Sequence, residues 1–179
     1  MVTNNHASPV GRWKTHYFVA GHPALELANT IPYRHAENPE DLISDLHDLA
    51  DWSVSVHLAQ DTAKVTSADV PRVQAVRDAI YGLFSEIAAG REYPAALAAL
   101  LLRTAAERFE TNAKPKLHAE LAWQAINALM ALPHNRIGEC PRCGWLFVDT
   151  SKGGRRRWCT MAVCGTNEKV RAHRERKGQ

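Results

Sequence analysis

Apolar residues recur at intervals of three and four in several stretches of the chain, and each such stretch predicts a helix. Val73, Val76, Ile80, Leu83, Phe84 and Ile87 mark one, stopped by Gly90. Leu121, Ala125, Ile126, Leu129 and Met130 mark another, from about Glu120 to Leu132, closed by Pro133. Pro94 opens an alanine- and leucine-rich helix running to about Arg108. Leu42, Ile43, Leu46 and Leu49 predict one more, to about Trp52, with Asn38 as N-cap and Pro39 at the first helical position. Glu40 and Asp41 suit the positive end of its dipole. A short helix from Pro23 to Thr30 follows an extended piece at Tyr17–Val19, and Met1–Lys14 reads as a loose polar lead. Residues 107–120 carry no clear period and read as a loop or small hairpin.

The helical period ends at Pro133, and the expected division falls between residues 137 and 138. The fold class is therefore mainly α: a helical domain over residues 1–137 and a small zinc-ribbon-like domain over 138–179, made of a short hairpin and a terminal helix. All four cysteines lie in the second part. Cys140 and Cys143 form a CxxC knuckle, and Cys159 and Cys164 form a second close pair. Four soft thiolates brought together this way suit a tetrahedral structural Zn2+. The hairpin is expected to run out along Trp145–Asp149, turn at Thr150–Gly154 and return along Arg155–Trp158. Trp145, Phe147 and Trp158 are then the miniature core over the metal. Asn167 is the expected cap of the terminal helix.

Charge sharpens the division. The chain carries a formal +3 at pH 7, but the residues from Cys140 onward hold ten bases against three acids, leaving a mildly acidic body. A basic tail points to a polyanionic partner, nucleic acid before membrane. The candidate DNA contacts are Arg155, Arg156, Arg157, Lys169, Arg171, Arg174 and Arg176. A protein-interaction module, with the zinc element folded onto the acidic body or a partner, is the alternative.

Enzyme activity is not expected. The nine histidines show no HExxH or paired ligand spacing, and no glycine-rich phosphate loop or nucleophile elbow occurs. Four thiolates also leave no open metal position. The opening residues lack a signal-peptide core and no run is long enough to span a bilayer, so a cytoplasmic location is expected.

The run Phe147-Val148-Asp149-Thr150-Ser151, followed by Arg157-Trp158-Cys159, Met161 and Cys164-Gly165, resembles the CGNR-type zinc-finger family. Lys169-Val170-Arg171 and His173-Arg174 extend the likeness. Ala20-Gly21-His22-Pro23-Ala24-Leu25-Glu26 with Asn29-Thr30 resembles the opening of the ABATE domain that precedes such fingers. The resemblance implies a bacterial stress-responsive transcription regulator, with a helical sensor-like body and a zinc-bearing, DNA-binding end. Thr166 and Asn167 stand where the family carries Asn and Arg. In the sensor-like segment His22, Glu26 and Asn29 are candidate contacts for a small-molecule effector. The competing expectation is structural: Asn29 and Thr30 cap or turn the short helix and Glu26 pairs with a base.

Overall fold

The computed structural model describes residues 11–13, 17–110 and 112–178. Of the expected loose lead at Met1–Lys14, all but Gly11–Trp13 lies outside these residues. The elements run α1 (Pro23–Ala28), α2 (Leu46–Ser55), α3 (Asp69–Ala88), α4 (Ala95–Ala106), α5 (Leu117–Ala131), β1 (Ile137–Glu139), β2 (Leu146–Val148) and α6 (Thr166–Lys177). One-turn 3-10 segments at Glu107–Phe109 and His134–Arg136, and a π-helical turn at Met161–Gly165, join them.

The chain is built around α3. Its apolar positions Val73, Ile80, Leu83 and Phe84 are fully buried, and it packs against α1, α4, α5 and β1. Removing a ring as deep as Phe84 costs about 3–5 kcal/mol in comparable cores. α4 and α5 lie against each other and against α3, with Leu101, Ala105, Leu121 and Ala125 between them. The described residues of 107–120 contain no strand: a 3-10 turn takes up Glu107–Phe109, and α5 starts three residues early, at Leu117.

The second predicted helix starts at Leu46 rather than at Pro39. Asp45 is its cap, its carboxylate accepting from Asp48 N at 2.9 Å. The acid expected to sit in the first turn, Asp41, is used elsewhere. It takes both ends of the buried Arg77 guanidinium, at 2.6 and 2.9 Å, and accepts from Ile43 N. A bidentate pair to α3 outweighs the few tenths of a kcal/mol that a dipole contact supplies. At the front of the chain, Tyr17–Val19 form no strand; just past them Ala20 O accepts from Val148 N of β2 at 2.9 Å.

The hairpin also differs from expectation. β2 pairs antiparallel with β1, in the register Ile137↔Val148, Gly138↔Phe147 and Glu139↔Leu146, so its turn is the CxxC knuckle. Arg155–Arg157 form no strand. The Asp149 carboxylate prevents the return by accepting from Ser151 N and Arg156 N, both at 2.8 Å, which curls residues 150–156 into a closed loop. Alternation along β2 then joins the two parts. Leu146 and Val148 pack on the helical core, while Phe147 packs on the cysteine cluster.

Candidate metal centre

Each cysteine is presented by a tight piece of backbone. Gly144 N donates to Cys140 O at 2.9 Å and Cys140 N to Trp145 O at 2.8 Å, which closes the first knuckle. Gly144 adopts φ +73°, a conformation that suits a residue without Cβ. Cys164 sits inside the π-turn, whose cap is Thr160: its hydroxyl accepts from Val163 N at 3.2 Å. α6 continues directly from this turn, so Asn167 lies inside the helix and does not cap it. At Gly165 an added Cβ would lie 2.6 Å from Met161 Sδ and 3.1 Å from Trp158. The exposed Met161 end can swing aside, so the tight neighbour at this glycine is the Trp158 ring.

The four sulfurs are buried and mutually within 4.8 Å. Cys143 Sγ and Cys159 Sγ are 3.5 Å apart, Cys159 and Cys164 3.5 Å, and Cys164 and Cys143 3.7 Å. A tetrahedron of thiolates about 2.3 Å from a zinc ion has edges of about 3.8 Å, so the donor set fits Zn2+ in number, chemistry and spacing. No two cysteines are bonded. Left to protons alone the cluster is frustrated. Hydrogen bonds from Cys143 and Cys159 hold the Cys140 thiol below its usual range, and the shared proton pushes Cys143 up to about 12. A divalent cation replaces those protons, so its binding releases protons and weakens in acid. Trp145, Phe147 and Trp158 pack around the sulfurs as expected, together with Tyr17 and Val19.

The candidate DNA contacts divide. Arg156 is a strut. Its guanidinium donates to Val148 O, Val19 O and Trp158 O, each at 3.1 Å, and to Cys159 O, and it lies 4.3 Å over the Phe147 ring. This side chain is committed to the fold, which removes it from the set of free cations. Arg171 is exposed but pairs with Glu168 at 2.8 Å and Glu175 at 2.6 Å. Glu168 also takes Arg142 at 3.1 Å, tying the base of α6 to the CxxC knuckle. Arg155, Arg157, Lys169, Arg174 and Arg176 have no ion pair among the described residues; Arg157 rests 4.9 Å from the Trp158 ring. Thr166, in the family's asparagine slot, donates to Met161 O at 2.9 Å and so closes the π-turn.

The three candidate effector contacts are all used inside the protein. Glu26 is buried, and its carboxylate accepts from Val19 N, Ala20 N and Gly21 N at 3.2, 2.8 and 3.0 Å. Burial pushes its carboxyl up to about 7, against these three donors and the nearby Arg156 charge. Asn29 pairs with the Leu146 backbone through both ends of its amide. His22 caps α1, its Nδ1 accepting from Ala24 N at 3.3 Å. None of the three lines the cavity beside the zinc knuckle. The structural reading of this segment fits, with backbone amides rather than a base as the partners of Glu26. Nothing in the RRR run singles out Arg156 as a strut, since it offers three equal cations.

A helical body joined to a four-thiolate zinc finger is the class of protein that this fold and site define. The chain matches a family described as "Putative stress-induced transcription regulator" (ABATE) over residues 21–135, and the CGNR zinc finger over 136–177. It belongs to the ABATE family, and its C-terminal part is a CGNR zinc finger that binds zinc. No curated protein matches the chain. No helix among the described residues is long and apolar enough to cross a membrane.

Proposed function

We propose that this chain is a cytoplasmic transcription regulator that binds duplex DNA through α6 and the exposed arginines of the loop before it, with zinc holding both in place. The carrying observation is the state of α6. Twelve residues form a helix of which none is buried; it packs chiefly on the π-turn that presents Cys164, with Glu168 held at its base by Arg142 of the CxxC knuckle. A helix so polar gains little from the body, and a polyanion supplies what it lacks. At 100° per residue, Lys169, His173, Arg174 and Lys177 lie on the side turned away from Glu168 and Glu175. Arg171 lies with the acids. Phosphate contact by the acid-free side supplies affinity, and sequence choice then falls to whatever reaches the base edges.

The same reading makes the protein a binder and not an enzyme, since four thiolates complete the zinc coordination and leave no position for substrate. Zinc here is structural: it fixes the turn from which α6 departs. The test is a pair of variants read by fluorescence anisotropy on a labelled random-sequence duplex. Arg174→Ala should weaken binding and lower the salt slope by about one unit, whereas Arg171→Ala, already neutralised by two acids, should change it much less. Equal binding by the wild type and Arg174→Ala contradicts this use of the helix.

A further inference from the structure

We propose that the cleft between the loop at residues 31–40 and the zinc knuckle is a binding site for a flat aromatic cation. The cleft encloses about 530 Å³, within the range of small-molecule sites. Its walls come from both parts of the chain. Tyr33 and Glu40 stand on the body side, Trp145, Thr160 and Val163 on the zinc side, with Tyr17 between.

Two features mark it as a site rather than a packing defect. Tyr33 holds φ at 52°, the left-handed region, and its N–H donates to Cys143 O at 2.9 Å. A non-glycine residue there is strained, and that hydrogen bond keeps the ring at the cleft. Trp145 is nine-tenths buried, yet its indole N–H has no hydrogen-bond partner among the described residues. A buried orphan donor is costly, and a shift of the indole toward an acceptor atom of an occupant would relieve it.

Charge selects the ligand class. Three of the four zinc thiolates line the cleft, and a zinc ion with four thiolates carries a formal net charge of about −2. Glu40 adds an acid at the rim, and no Lys or Arg is among the lining residues described. The bases beside it are paired: Arg12 is shared by Asp48 and Glu40, whose charge it partly offsets, and Arg142 is held by the Tyr33 side chain and Glu168, so the negative charge of the floor comes mainly from the thiolates. Aromatic faces over a negative floor favour an organic cation. Thr160 and Val163 belong to the turn that launches α6, so an occupant would touch the root of the basic helix. The site itself does not depend on the DNA-binding reading.

The probe is berberine, a flat aromatic cation, titrated by fluorescence into the zinc-loaded full chain without DNA. Saturable one-to-one binding is expected. Val163→Trp, which fills the cleft from an exposed position, should weaken it about tenfold, and Glu40→Gln about threefold. Zinc content is measured in parallel; if Val163→Trp lowers it, Ala36→Trp on the opposite wall is used in its place. No saturable binding, equal binding by the filled variant, or equal competition by the aromatic anion 8-anilinonaphthalene-1-sulfonate overturns the proposal. Because no nucleic acid is present, this outcome is independent of whether α6 binds DNA.

Discussion

The Asn29 side chain meets the backbone of Leu146 as a neighbouring strand would. Its Nδ2 donates to Leu146 O at 2.9 Å and its Oδ1 accepts from Leu146 N at 2.8 Å, with both residues buried. One carboxamide at the end of α1 therefore completes the outer edge of the zinc-bearing hairpin, across 117 positions of sequence. Asn29→Ala leaves two buried backbone groups unpaired and should cost about 2–4 kcal/mol in urea melts. Asn29→Asp, which cannot donate to Leu146 O, should fail to rescue it. A wild-type midpoint in Asn29→Ala contradicts this joint.

Glu26 gives the chain a pH-dependent stability with a definite sign. Its carboxyl is raised from 4.5 to about 7, so the folded state disfavours the charged form. The stability this group supplies is full below pH 4.5 and is lost as pH climbs through about 7. Between pH 6 and 8 the wild type should lose about 1 kcal/mol from this source, or about 3 °C in Tm. Glu26→Gln has no such titration, so the difference in Tm between the two proteins should change across that window. A difference that stays constant from pH 6 to 8 rules it out.

Arg156 should behave as part of the zinc site although it touches no sulfur. Its bond to Cys159 O fixes the backbone that presents that ligand. Arg156→Ala should lower zinc affinity about tenfold, measured by competition with a coloured chelator. Arg155→Ala, one position away and exposed, should leave zinc affinity unchanged and weaken DNA binding instead. Similar zinc affinities for the two variants would show that the arginine run is uniform after all.

These contrasts mark how much of the protein could be read from its sequence. The cysteine spacing carried the metal site, because a tetrahedral ion needs four donors and two close cysteine pairs supply them. The periods of α3 and α5 carried the helical core for the same kind of local reason. What the sequence hid is long-range. Asp41 reads as a first-turn acid until Arg77 arrives from α3, and residues 39–45 around it then stay non-helical. Residues 155–158 read as the return strand of a hairpin, until Asp149 captures the Arg156 amide. Glu26 and Asn29 read either as effector contacts in the sensor-like segment or as structural groups of the short helix; the structure pairs both with backbone groups. No spacing rule records which backbone will be left unpaired nearby.

The central claim is that zinc presents a basic helix to duplex DNA, and its most direct test is the salt dependence of binding by the zinc-loaded chain. The expected plot of log affinity against log salt is a line with a slope of about −4, from four or five phosphates neutralised by the unpaired bases of α6 and the preceding loop. Binding to a random-sequence duplex that is absent at low salt, or that does not change with salt, would contradict the claim.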